Sequence, residues 1–196
     1  MTTITPEPTS DLAGAAYPDL LRMGHRFVTS IGQRLIVDGF YGAMDFAFGG
    51  DGWFYVLNRY DSNPGQPKVR FAVCNLDDEF PRNIDPRVDG QSLAGRKDQW
   101  GSAVFCDSDQ KGNLFFTDER ANQVVTMSQE QGDVTAVWGE SGSKAGQLDG
   151  ASGITYLADG TFWIVSSRSS LIQHFTLDGE YIKGFGKRGS ETGQLS

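Results

Sequence analysis

Cysteine and histidine are scarce in this chain of 196 residues: Cys74, Cys106, His25 and His174 are all it has. Their separations match no zinc-ligand spacing, so no zinc centre or other metal cofactor is expected. Both cysteines lie in apolar, strand-like runs. That reads as two buried thiols in a reducing compartment, with a disulfide as the minor alternative. No apolar run approaches the roughly 20 residues that a membrane helix needs, so no membrane partner is expected. The start, Met1 to Gly14, lacks the basic-then-apolar order of a secretory signal. No Asn-x-Ser/Thr acceptor occurs either. A cytoplasmic location is the resulting expectation. Basic excess is missing too, since the formal net charge is −8. Such a balance favours solubility and speaks against nucleic acid, whose partners show a basic face.

Glycine is plentiful, 25 residues of 196, and it recurs at fixed intervals. Gly146-Gln147-Leu148 returns 47 residues later as Gly193-Gln194-Leu195, and Trp138-Gly139 returns 47 residues later as Phe185-Gly186. A period in the forties, filled with short strands and Gly-rich turns, is the mark of a propeller blade. The unit around this repeat divides into four strands. Gly153 to Tyr156 leads through Asp159-Gly160 into Phe162 to Val165. Leu171 to Thr176 leads through Asp178-Gly179 into Tyr181 to Phe185. Asp-Gly between β-branched and aromatic runs is a strong hairpin signal, because Gly accepts a positive φ without a steric penalty.

The same reading extends along the chain. Residues 1–23 are expected to form a mobile arm, and 24–196 the propeller. Blades are expected at about 43–84, 102–138 and 152–186. The first has strands Ala43 to Phe48, Trp53 to Asn58, Lys68 to Asn75 and Glu79 to Ile84, with a loop insertion at 60–67. The second has Ser102 to Asp107, Asn113 to Thr117, Gln123 to Ser128 and Asp133 to Trp138. Arg26 to Ser30 reads as a closing strand that does not pair as the outer strand of the first blade. Residues 187–196 read as the opening of a further unit.

The second unit reads Gly112-Asn113-Leu114-Phe115-Phe116-Thr117-Asp118, then Asn122-Gln123-Val124-Val125. With its aromatic-Gly end and Gly-Gln-Leu exit loop it resembles an NHL repeat. At the Asp118 position the first unit has Asn58 and the third Ser166, and Asn122 corresponds to Ser170. The resemblance covers about Ala43 to Ser196. It implies an all-β propeller of four-stranded antiparallel blades, usually six to a ring, of the TolB-like class. Three units do not close such a ring, so the expectation is a fragment, or a ring completed by a second chain through self-association. One fold hosts many activities, so the resemblance carries no particular function.

Catalytic signals are thin. Asp107-Ser108-Asp109-Gln110-Lys111-Gly112 begins like a calcium loop, but Lys111 occupies a ligand position and no Glu closes it, so a plain turn is expected. Gly184-Phe185-Gly186-Lys187-Arg188-Gly189 matches G-x-G-x-x-G without the helix that dinucleotide binding needs. No G-x-S-x-G elbow is present. Channel-lining strands offer Asp45 and Asp107 as carboxylates. The leading expectation is therefore a binding or scaffolding module for a protein or small-molecule ligand. The alternative is a propeller enzyme of the amidating-lyase or lactonase kind, its site completed by further blades. The chain as read supports no catalytic residue and leaves the enzyme question open.

Strand order decides where charges emerge. The second-to-third connections and the blade exits share one end, and the tight turns share the other. The tight-turn end is strongly acidic, with Lys111 as its one base. Nearly every arginine lies at the other end. Recognition usually sits on loops that a rigid scaffold displays, and Arg and Trp are favoured anchors there. The ligand-binding expectation is Arg59, Trp100, Arg120 and Arg168.

Overall fold

The computed structural model describes residues 30, 31, 40, 42–59, 68–92, 100–192, 194 and 195. The arm at 1–23, most of the 26–30 strand and the insertion at 60–67 lie outside the described residues. Fourteen strands occur among the described residues, all of them in the unit Ile31–Ser196. Strands β1 (Ala43–Phe48), β2 (Phe54–Arg59), β3 (Val69–Cys74) and β4 (Arg82–Ile84) form the first sheet in sequence order. A small hairpin follows, β5 (Arg87–Val88) with β6 (Gln91–Ser92). The second sheet is β7 (Ala103–Ser108), β8 (Asn113–Asp118), β9 (Gln123–Ser128) and β10 (Val134–Trp138). The third is β11 (Ala151–Tyr156), β12 (Thr161–Ser166), β13 (Leu171–Thr176) and β14 (Tyr181–Phe185). All pairs within these sheets are antiparallel, and no helix occurs among the described residues.

Strand ends shift by one or two residues from the sequence reading, as where β11 begins at Ala151 rather than Gly153, and two departures are larger. The outer strand of the first blade begins at Arg82 rather than Glu79, because Asn75 holds the preceding turn. Its side-chain oxygen accepts the amides of Asp77 and Glu79 at 3.0 and 3.1 Å. The β5–β6 hairpin has no counterpart in the repeat and was not expected.

Stacking of the blades follows from alternation along each strand. In β8, Leu114 and Phe116 point toward the first blade, while Phe115 points toward the third. Leu114 and Phe116 pack with Tyr55, Leu57, Phe71 and Val73. Phe115 packs with Ile154, Phe162, Ile164 and Phe175, closed beneath by Leu148 of the exit loop. A middle blade buried on both sides reads as a continuous apolar run, and Leu-Phe-Phe is that run.

Exit loops repeat as closely in space as in sequence. Ser141 bridges Leu148, and 47 residues later Arg188 bridges Leu195. Gly139 and Gly186 take φ of 134° and 116°. A Cβ at either would stand 2.3 or 2.4 Å from the carbonyl oxygen of Asn122 or Ser170, which explains the glycine after each aromatic.

Candidate loop-face site

The second-to-third connection of each blade is pinned to that blade's own entry. Arg59 N donates to Gly42 O, Glu119 N to Ser102 O and Ser167 N to Gly150 O, at 3.0, 3.1 and 3.0 Å. In the second blade Asp118 tightens the turn. One carboxylate oxygen accepts the amides of Arg120 and Ala121, and the other accepts Ser102 N. In the third blade Ser167 and Ser169 hydroxyls donate to the carbonyls of Gly150 and Ser166. Short polar side chains thereby stiffen loops whose long side chains reach solvent.

Arg120 and Arg168 occupy the same repeat position, and both are exposed. Arg168 lies 4.0 Å from Asp149. Arg59 is one position earlier in its loop, half-buried, and 3.9 Å from Glu119 of the neighbouring blade. Ion pairs this long and exposed contribute little and leave the guanidinium groups able to exchange partners. Trp100 departs from the expected rim position. It is 8% exposed, packs edge-on against Phe116 at 5.7 Å, and donates Nε1–H to Gln123 at 3.1 Å. Burial of so large an apolar ring outweighs what its indole would gain at a rim. The fold therefore brings three arginines to one end and turns the tryptophan into the core.

The other candidates resolve into structure. Asp109 Oδ1 accepts the amides of Lys111 and Asn113, and Oδ2 accepts the Asn113 side chain. Partial burial works against its charge, yet these bonds from Asn113 and Lys111 prevail and hold the carboxyl below its usual range. Asp45 accepts the Cys106 amide at 3.0 Å and Asp107 the Tyr156 amide at 2.7 Å. Each joins the inner strand of one blade to the inner strand of the next. Among the described residues no three His, Cys, Asp or Glu side chains are grouped to hold a metal ion. The G-x-G-x-x-G stretch runs from β14 into the exit loop. Sequence reasoning missed the linking role of Asn122. Its Oδ1 accepts the amides of Gly150 and Ala151, across 28 and 29 residues. Its left-handed φ of 54°, shared by Ser170 at 55°, is the conformational signature of that corner.

No family model and no curated protein matches the chain. Solved structures do. Hydrazine synthase from Kuenenia stuttgartiensis is similar at a TM-score of 0.50 and 10% identity, over 82% of this chain and 40% of that one. A streptogramin B lyase is similar at 0.50 and 15% identity, over 80% and 43%. A catalytically inactive virginiamycin B lyase from Staphylococcus aureus, with quinupristin, is similar at 0.50 and 20% identity, over 79% and 43%. The chain thus spans less than half the length of each. Identities this low speak for the fold alone, and that fold is the β-propeller. The described residues make up three of its four-stranded blades.

Proposed function

We propose that the chain is an NHL-type propeller module whose loop face recognises a carboxylate-bearing ligand, in the first place an acidic segment of a partner protein. The observation that carries this reading is the repeated placement of Arg120 and Arg168. Two exposed guanidinium groups stand at one repeat position on turns stiffened by hydrogen bonds, with Arg59 beside them. Guanidinium presents a planar fork that matches a carboxylate, and a pre-ordered backbone lowers the entropy lost on binding. The tight-turn end is acidic and would repel the same ligand, which gives the interaction a direction.

The test is a fluorescence titration with a labelled Glu-rich peptide. Arg120→Glu with Arg168→Glu should weaken binding by about tenfold or more, on the scale of anchor residues. Added salt should weaken binding to the parent chain. Asp77→Lys with Asp78→Lys should leave it within about twofold, as rim charges remote from a contact do. The reverse pattern overturns the assignment.

A further inference from the structure

Asp-Gly is the dipeptide at which a protein chain most readily rearranges its own backbone. Glycine has no Cβ, so its amide nitrogen can reach the side-chain carboxyl carbon of the aspartate before it. The pair occurs six times in the sequence, and Asp38-Gly39 lies outside the described residues. The other five sit in turns or loops, and the fold treats one of them differently.

Four of the five are held by their glycine amides. Gly150 donates to Asn122 Oδ1 at 2.7 Å, Gly160 to Leu157 O at 2.9 Å, Gly179 to Thr176 O at 3.1 Å and Gly52 to Gly49 O at 3.3 Å. An amide already donating must lose that bond before it can turn onto the neighbouring carboxyl. Further contacts hold each pair in place. Asp51 accepts the Trp53 amide and the Tyr55 hydroxyl, at 3.1 and 2.7 Å. Asp159 accepts the amide and the hydroxyl of Thr161, at 3.1 and 2.6 Å. Asp149 faces Arg168 at 4.0 Å. Gly179 lies against the Trp138 ring, where an added Cβ would stand 2.6 Å from it.

The fifth pair, Asp89-Gly90, is the tip of the β5–β6 hairpin. The two residues have φ of 52° and 69°, the positive values that a two-residue type I′ turn needs. Both are exposed. Among the described residues the Gly90 amide has no acceptor, and the Asp89 carboxyl has no hydrogen-bond or ion-pair partner. A Cβ on Gly90 would meet nothing within 4 Å. The hairpin pairs Arg87 with Ser92 and Val88 with Gln91. It is tied to the blades by the Arg87 amide on Gly132 O at 2.8 Å and by partly buried Val88. So small a unit opens without unfolding a blade.

We propose that Asp89 is a site of spontaneous isomerisation to isoaspartate, chosen over the four held pairs because the Gly90 amide is free to close on the Asp89 carboxyl. The Gly90 nitrogen gives its proton to solvent and bonds to Cγ of the protonated carboxyl. The hydroxyl of that carboxyl takes a solvent proton and leaves as water, and a cyclic imide remains. Water then opens the imide at one of its two carbonyls. Opening at Cγ restores aspartate. Opening at the main-chain carbonyl leaves the chain running through the side-chain carboxyl, with a free α-carboxylate. Composition is unchanged, and nothing is oxidised or reduced. The backbone gains one methylene at the turn, so Val88 and Gln91 no longer face each other across two residues. The new α-carboxylate is the group that isoaspartyl methyltransferases esterify. This inference does not rest on the loop-face reading.

The test keeps the folded 196-residue chain warm at neutral pH in heavy-oxygen water, then maps its peptides by mass spectrometry. The peptide holding Asp89-Gly90 should split into two forms of one composition, both carrying heavy oxygen. One form should resist an aspartate-specific endoproteinase and accept a methyl group from an isoaspartyl methyltransferase. Isoaspartate there should exceed that at each held pair by about fivefold or more, the factor that one net hydrogen bond gives a local opening equilibrium. In denaturant all five pairs should form it at similar rates, which assigns the preference to the fold. Asp89→Ala should remove the signal from the folded chain. A folded chain with no isoaspartate at Asp89 overturns the proposal. So does one in which any held pair comes within about twofold of Asp89.

Discussion

Asp107 on the inner strand of the second blade accepts the amide of Tyr156 on the inner strand of the third, at 2.7 Å. Asp45 does the same for Cys106 at 3.0 Å. In both cases a carboxylate at one repeat position takes the amide one position further along in the next blade. Neighbouring inner strands do not share a sheet, so their backbone groups need such partners. Asp107→Ala leaves the Tyr156 amide without its acceptor and should cost about 1–3 kcal/mol in a urea melt. Asp107→Asn keeps an acceptor oxygen and should cost less. A melt unchanged by Asp107→Ala would show that the latch is idle.

Glycines in the repeat separate into two kinds, and alanine distinguishes them. Gly52 has a φ of 86° with nothing within 4 Å of a new Cβ, so Gly52→Ala should cost about 1–2 kcal/mol from backbone conformation alone. Gly139 has a φ of 134° and a carbonyl oxygen 2.3 Å from that Cβ. Gly139→Ala must therefore shift the chain and should cost about 3 kcal/mol or more. Equal melting temperatures for the two variants would remove the packing argument.

Cys74 and Cys106 are both buried. Burial pushes the Cys74 thiol up to about 11, with Asp78 adding to it. Burial also pushes Cys106 well above its ordinary value, reinforced by Asp45 and Asp107. The thiolate is the reactive species, so both should resist a disulfide reagent at neutral pH and titrate fully in denaturant. Fast labelling of the folded chain would contradict their placement.

Tyr55 donates its hydroxyl to Asp51 at 2.7 Å. Burial, then that hydrogen bond and the Asp51 charge, push its pKa up to about 12. The folded chain thus favours the neutral phenol, while an unfolded tyrosine ionises near 10. Its contribution is fully present below pH about 10 and is lost as pH rises toward about 12. Tyr55→Phe should flatten the alkaline fall in stability measured by urea melts across that window. An unchanged slope would assign the fall to other groups.

The blades were legible because their signals are local. Asp159-Gly160 and Asp178-Gly179 turn where short-range sterics demand, and the 47-residue spacing of Gly139 and Gly186 survives as a shared backbone conformation. Strand order alone puts Arg59, Arg120 and Arg168 on the second-to-third connections, but it did not foresee Arg82 and Arg87, which lie against the tight turn of the second blade through Gln129 and Gly132. Trp100 was not legible. Its position in the chain places it near the loop face, but its side chain turns toward Phe116 and Gln123, which come from two other strands.

Turn chemistry and apolar alternation, both readable over a few residues, account for the strands, their order and the blade repeat. Which way each side chain was used came only with packing. Asp45 and Asp107 lie on strands expected to line the channel, and only the assembled blades show them taking the next blade's amides. Asn122 stood out in the sequence only as part of a repeat motif, and packing placed the Gly150 amide 2.7 Å from its oxygen. Trp163 and Phe115 share one repeat position, yet among the described residues Phe115 is fully buried against the third blade and Trp163 is only partly buried. Contacts between blades join residues 28 to 61 positions apart, a separation over which no local preference acts.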